Sequence, residues 1–368
     1  MNLISSAWLA LLAALFVSIS AFAEEASLPD LADQLLDRTG APGVAIARLD
    51  EAGLEIAVAG VRALGADAAI EPGDSWHVGS NTKAMTATLA ARLVERGDIE
   101  WDATIKESLA PLQLEIAPAF TEVTLSDLLT HRSGLPANMG RWATVWYAGS
   151  DNERDVEADR RAFAEAMLGG EPAGERGAYL YSNSGYTIAG LMLELAAGAS
   201  YETLMQREVF DPLDMGEAGW GPPGEADQLD EPRGHRPGLF SGLRAVEPGA
   251  GADNPPVLNS AGRAHMPLGD LARFLSAHLA GATGDERYLS AESWAMLHAP
   301  IGEEAYAMGW GVSGAGRLSH AGSNTMWFVR MAIWPEQGEG AIIALNEGRI
   351  AQLREPVDDA LEALAPKP

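Results

Sequence analysis

Strand-like patterning is confined to the two ends of this chain, and that separation limits the folds open to it. Near the N-terminus, residues 43–49 and 54–61 are strand-like runs joined by the turn sequence Asp50-Glu51-Ala52-Gly53. Strand character returns only in the last part of the chain, over 306–312, 317–320, 325–334 and 341–346, with Gly338-Glu339-Gly340 turning the last pair. The middle, residues 111–255, reads as helices broken by Pro/Gly-rich loops at 169–177, 219–224 and 232–238. Strands at both ends around a helical middle predict one sheet built from distant segments, with a helical insertion. The expected class is α/β of the α+β kind, an antiparallel sheet flanked by helices. Its sheet domain would take residues 24–110 and 256–368, and its helical domain residues 111–255.

Composition narrows the function classes. With 47% hydrophobic and 21% charged residues in a chain of 368, a substantial core can form and global disorder is excluded. A net charge of −27 argues against nucleic acid or an anionic membrane surface as partner, since both need positive patches. The absence of cysteine removes disulfides, thiolate metal sites, cysteine nucleophiles and a lipoprotein anchor. Residues 1–23 read as a secretory signal: no charged side chain, an apolar run over 7–16, and Ala21-Phe22-Ala23 ahead of Glu24-Glu25. The basic segment that usually opens such a signal is missing, and an uncleaved anchor helix is the alternative. Ser18 and Ser20 interrupt the run and its length is marginal for spanning, which favours cleavage, export to the periplasm or medium, and no stable membrane insertion afterwards.

Lysine is nearly absent, and where it persists is informative. Only Lys83, Lys106 and Lys367 occur, with arginine at every other basic position. Arginine does not release its proton near neutral pH, whereas a lysine can when its surroundings lower its pKa. Lys83 follows Ser80 by three residues, and Met85, Leu89, Leu93 and Val94 then recur at helical spacing as far as Gly97. The serine thus stands at a helix start with the lysine on the same face one turn later. Ser-x-x-Lys is the arrangement that lets an amine activate a serine hydroxyl without histidine. A capping serine followed by a surface lysine would have the same spacing, so the pair needs company.

Three further segments provide it. Tyr181 and Asn183, inside Tyr179-Leu180-Tyr181-Ser182-Asn183-Ser184-Gly185-Tyr186, offer a phenol and an amide two residues apart at a helix entry. His320-Ala321-Gly322-Ser323 places small residues in a strand, where backbone N–H groups can approach a ligand closely. Residues 123–136 read as a capped helix ending at Gly134, with His131 expected to satisfy the helix terminus. His77, His235, His265, His278 and His298 have no metal-ligand spacing, so no metal is expected, nor any other cofactor. Gly309-Trp310-Gly311-Val312-Ser313-Gly314 matches a dinucleotide fingerprint in form but opens no βαβ unit, and reads as strand and turn glycine. No Gly-x-Ser-x-Gly occurs, against an α/β-hydrolase elbow.

In this order, Ser80-x-x-Lys83, the 128–135 stretch Leu-Leu-Thr-His-Arg-Ser-Gly-Leu, Tyr181-x-Asn183 and His320-x-Gly322 resemble the motifs of the class C β-lactamase-related serine hydrolases. That group is penicillin-binding-protein-like, with D-alanyl-D-alanine carboxypeptidases, D-aminopeptidases and family VIII esterases among its members, and the resemblance runs over residues 28–350. It implies a β-lactamase/transpeptidase-like fold. It also implies that Ser80 is acylated, that Lys83 and Tyr181 share the proton transfers, and that Asn183 orients Lys83 or substrate. The N–H groups of Ser80 and Ser323 would form the oxyanion hole, with Gly322 and His320 beside the substrate. One departure bears on substrate: His320 and Ala321 stand where β-lactamases and many carboxypeptidases have lysine and threonine. Histidine is mostly neutral at pH 7 and is a weaker partner for a substrate carboxylate. The expectation is an esterase or peptidase acting on a small ester, an amide or a peptidoglycan-type peptide. A catalytically weak binding or regulatory relative and a true β-lactamase are the alternatives. Trp142, Trp146 and Tyr147 are candidates for an apolar acyl pocket, or simply core aromatics.

Overall fold

A computed structural model of the chain describes residues 27–140, 155–238, 242–314 and 316–367. The candidate signal segment and Trp142, Trp146 and Tyr147 lie outside the described residues. The chain opens with α1 (Leu28–Thr39), β1 (Gly43–Asp50), β2 (Gly53–Gly60), β3 (Ser75–His77) and α2 (Thr82–Glu95). The middle supplies α3 (Leu125–Leu129), α4 (Val156–Leu168) and α5 (Asn183–Ala197), then the short strands β4 (Gly219–Trp220), β5 (Gly234–Pro237) and β6 (Leu243–Val246). After α6 (Asn259–Gly262) come β7 (Ala264–Pro267), α7 (Leu268–Ala282), α8 (Ala291–His298), β8 (Gly311–Val312), β9 (Leu318–Ser323), β10 (Phe328–Trp334), β11 (Glu339–Leu345) and α9 (Ile350–Ala363).

The two ends of the chain do meet in one antiparallel sheet, ordered β2-β1-β11-β10-β9-β8. Its central strands β1, β11 and β10 are mostly apolar on both faces because both faces are covered, and alternate residues feed two separate cores. Val44 and Ile46 of β1, with Ile343 and Leu345 of β11, pack beneath α1 and α9. Ala45 and Ala47, with Ile342 and Ala344, face the larger core around α2 and α7. Register follows from this alternation: Val44 lies opposite Leu345, and Leu345 opposite Phe328, all on the α1/α9 side. α1 is set by local chemistry, with a Ser27/Asp30 capping box at its start and left-handed Gly40 at its end.

α2 is sheathed by protein: ten of its first eleven residues are buried, Lys83 among them. A helix buried on all sides belongs at the centre of a core, not on its surface. Here it runs between the sheet and the helical middle. Arg160 of α4 is buried and pairs with Glu194 of α5 and Glu202, tying the helices of the middle together.

Two expectations need adjustment. A strand over 306–312 shrinks to Gly311–Val312, with Ala305 and Gly309 taking left-handed φ values of 48° and 82° that turn the chain out of a regular strand. Gly309 packs flat on α2, where a Cβ would fall 2.4 Å from the Ala84 Cα, so this glycine serves close packing. The helical middle also carries strands: β4 joins β3 and β7 in a small sheet ordered β3-β7-β4, and β5 pairs with β6. Among the described residues no helix is long and apolar enough to cross a membrane.

Candidate active site

β3 delivers the chain to a tight turn, Gly79–Asn81, from which α2 starts. Gly79 has φ 53°, and a Cβ there would lie 2.3 Å from the Ser323 nitrogen of β9. Only glycine permits so close an approach. Ser80 sits half-buried in this turn. Lys83, one turn later, is 0% exposed, and its Nζ lies 3.1 Å from Ser80 Oγ, 2.6 Å from Asn183 Oδ1 and 2.5 Å from the Ala261 carbonyl. Burial holds the Lys83 amine well below its ordinary 10.5, and no carboxylate pairs with it among the described residues. A neutral amine has two protons and one lone pair. The two carbonyl oxygens can only accept, so they take the protons, and the lone pair is left to face the Ser80 hydroxyl.

Tyr181 and Asn183 arrive on the loop that enters α5. Ser182 caps that helix: its Oγ accepts from Gly185 N at 2.9 Å and donates to the Pro136 carbonyl at 2.8 Å. The Tyr181 ring centroid lies 4.9 Å from Lys83 Nζ. Burial raises the phenol's pKa above the ordinary tyrosine value, against a smaller opposing effect of its hydrogen bond with Ser80. Asn183 accepts from Lys83 and donates from Nδ2 to Asn138 Oδ1 at 2.7 Å. Its amide orientation is thereby set.

β9 forms the other wall. A Cβ on Gly322 would fall 2.0 Å from the Val78 carbonyl and 2.8 Å from Ser80 N. The strand and the Ser80 turn are therefore in backbone contact, with Ser323 next in line. The Ser323 hydroxyl is occupied, donating to the Trp327 carbonyl at 2.6 Å and accepting from Thr325 N at 2.9 Å, so what it offers the site is its backbone. His320 is 7% exposed and meets the Tyr306 hydroxyl at 3.2 Å through Nε2. Burial, then Lys83 and Arg330, push its pKa down to about 3.

A serine hydroxyl, a buried amine, a phenol, an amide and the backbone of the Ser80 turn and of Ser323 in β9 thus converge at one cleft. The chain matches the Beta-lactamase family over residues 28–364. It belongs to that family. Among curated relatives, it is 30% identical over 179 residues to Unguisins hydrolase ungD of Aspergillus violaceofuscus (strain CBS 115571), covering 47% of this chain but only 30% of that protein. It is 24% identical over 337 residues to Penicillin-binding protein 4 of Amycolatopsis lactamdurans, covering 86% and 84% of the two chains. Among solved structures it is similar to the octameric penicillin-binding protein homologue from Pyrococcus abyssi, with TM-score 0.73, 22% identity, and 91% and 77% of the chains covered. It is likewise similar to SurE, with TM-score 0.73, 20% identity, and 91% and 75% covered. These likenesses show the β-lactamase fold, and the family and its relatives support a serine-hydrolase-type function.

This member of the family also builds its site from residues that spacing does not mark. His131 serves a helix terminus through its side chain, that of α5 and not of the helix it follows. It takes φ 61°, and its Nδ1 accepts from Ser182 N at 3.0 Å, bracing the loop that carries Tyr181. Its ring packs on Tyr181, Tyr306 and Tyr186 with centroids 4.2, 4.8 and 5.2 Å away. Tyr306 had no sequence signal beyond a strand pattern that the fold replaces with a turn. The Ala261 carbonyl could not be foreseen, because any residue type carries one. Beside the cleft a cavity of about 410 Å³ is lined by Tyr181, Tyr306, Ser319, His320, Glu304 and Arg330. Among the described residues, no three His, Asp or Glu side chains converge to hold a metal ion.

Proposed function

We propose that the protein is a serine hydrolase that forms an acyl-enzyme at Ser80, acting on a small ester or amide with no essential carboxylate. The observation that carries this reading is the Lys83 amine, buried, without a carboxylate partner, and bonded to two carbonyls and Ser80 Oγ. As Ser80 Oγ attacks the carbonyl carbon, its proton passes to Lys83 Nζ. The carbonyl oxygen becomes an oxyanion facing the N–H groups of Ser80 and Ser323. Tyr181 then gives its proton to the leaving group as that bond to the carbonyl carbon breaks, and recovers one from Lys83, so both groups return to their starting forms. Water attacks the acyl-enzyme by the same relay, its proton passing through Tyr181 and Lys83 and one returning to Ser80 Oγ. Opposite shifts support dividing the roles this way: burial lowers the amine and raises the phenol, so the first loses its proton readily and the second keeps it.

Substrate charge follows from what faces the cleft. Lys83 is spent on the proton relay and His320 is neutral at pH 7. Arg132 is paired with Glu304, and Arg330 lies 3.5 Å from Asp358. Of the cations that line the cleft and the cavity beside it among the described residues, Lys83 is engaged with Ser80 and two carbonyls and Arg330 with Asp358, so neither is free to hold a penicillin or terminal D-alanine carboxylate. This favours neutral esters, D-amino-acid amides and amide-capped peptides over β-lactams.

A fluorophosphonate probe tests the core of the reading. Labelling should fall on Ser80 and vanish in Ser80→Ala; labelling that persists in the alanine variant removes the assignment. p-Nitrophenyl esters, D-amino-acid amides and nitrocefin, assayed together, test the substrate class, and turnover fastest on nitrocefin would reverse it.

A further inference from the structure

Behind the Ser80 turn lies a buried carboxylate that the proposed reaction does not use. The Asp253 side chain is 1% exposed, and all its accepting directions are filled. Oδ2 accepts from His77 Nε2 at 2.9 Å and from Arg263 Nε at 3.0 Å. Oδ1 accepts from Asn324 Nδ2 at 3.0 Å and from Asn254 N at 2.7 Å. Arg263 balances the charge, which is what allows a carboxylate to remain ionised at this depth. Burial raises its pKa, and the His77 and Arg263 partners more than offset that, holding Asp253 below the usual carboxylate value.

Two of these partners lead to the oxyanion donors. His77 Nδ1 accepts from Gly79 N at 3.2 Å, so its lone pair is at Nδ1 and its proton at Nε2, facing Asp253. The chain Asp253–His77–Gly79 therefore ends one residue before Ser80. On the other side, Asn324 directly follows Ser323. With Nδ2 held by Asp253, its Oδ1 accepts from Met326 N at 3.1 Å and Trp327 N at 3.2 Å, fixing the bend after β9. The Trp327 ring stacks on His77 with centroids 5.8 Å apart, closing the circuit.

We propose that Asp253 is a positioning residue for the oxyanion hole: through His77 and Asn324 it sets the register of the Ser80 turn against Ser323. This rests on Ser80 being the nucleophile. One carboxylate thereby governs the residues flanking both N–H donors, although neither it nor His77 touches substrate. A donor pair is effective only when held rigidly where charge develops, and a displacement near 1 Å can lower a rate about a hundredfold.

The test compares Asp253→Asn and His77→Phe with the wild type. The second variant keeps the ring against Trp327 and leaves the Asp253 bonds to Arg263 and Asn324 in place, so it remains informative should the first fail to fold. Burst kinetics with a p-nitrophenyl ester give kcat and KM separately, and melting curves establish the folded state. Folded variants are expected to lose roughly ten- to a hundredfold in kcat and in fluorophosphonate labelling rate, with KM within about threefold. A purely structural role would lower the melting temperature and leave the kcat of the folded protein unchanged, and that result overturns the proposal. If wild type itself is not labelled at Ser80, the hydrolase reading fails; if it is labelled and folded His77→Phe acylates at the wild-type rate, only this proposal fails.

Discussion

Replacing Gly322 by alanine should disable turnover while leaving the sheet intact. The added Cβ would stand 2.0 Å from the Val78 carbonyl, 2.8 Å from Ser80 N and 2.9 Å from Asn81 N. Real Cβ contacts essentially never fall under 3.0 Å, so β9 and the Ser80 turn must part by about 1 Å. All three atoms are backbone, and no side chain can rotate aside to absorb the strain. A hydrogen bond near 2.9 Å that lengthens by 1 Å is lost. Losing one oxyanion donor raises the barrier by about 3 kcal/mol, roughly a hundredfold in kcat. KM should change little, because the donors act on charge that develops after binding. Overpacking of this kind typically costs about 1–3 kcal/mol of stability, which a protein of ordinary stability survives. Gly340→Ala in β11 is the control, since its Cβ would find nothing nearer than 3.5 Å. Stopped-flow acylation by a p-nitrophenyl ester, with a melting curve for each variant, decides the matter. A folded Gly322→Ala protein with kcat within about threefold of wild type would refute the backbone-contact argument.

Other consequences concern protons. Lys83→Arg keeps the positive charge but cannot give up its proton, and should be about as inactive in ester hydrolysis as Lys83→Ala. In the wild type, kcat/KM should rise with pH along a limb whose midpoint is well below the ordinary lysine value of 10.5. An active arginine variant would show that Lys83 is not the base. Far from the cleft, His278 Nδ1 and His298 Nε2 are 2.9 Å apart among Trp294, Phe274 and Trp310, and burial presses His298 down to about 4. Between pH 6.5 and 4 the unfolded chain binds a proton that the folded pair refuses, so stability present at neutral pH is lost as pH falls through that window. The gap is worth about 3 kcal/mol for His298. Urea midpoints measured at pH 7 and pH 4.5 should therefore fall more in wild type than in His298→Leu, and equal falls would contradict the burial argument.

Much of this arrangement is written locally. The three-residue offset from Ser80 to Lys83 puts both on one face of a helix whatever surrounds it, and capping signals at Ser27 and Thr124 start their helices without outside help. Apolar runs at the chain ends implied a sheet shared between them, since neither end alone can cover its own strands. The extent of strand near Tyr306 was not legible, because the left-handed backbone at Ala305 and the close packing of left-handed Gly309 on α2 are features of the folded chain and not of local residue pattern. Nor was the duty of His131, whose partner at Ser182 lies 51 residues further along.

What the sequence settles by itself is which side chains can do chemistry and how near neighbours along the chain are phased, for those depend on covalent spacing and backbone geometry. What the tertiary structure alone decides is their chemical character. The pKa of the Lys83 amine and of His320 is lowered, and that of Asp253 is held below the usual carboxylate value, because of what the fold removes from water and what it brings within bonding distance. Desolvation and partnership are properties of a place, and the place is assembled from segments as far apart as β1 and β11.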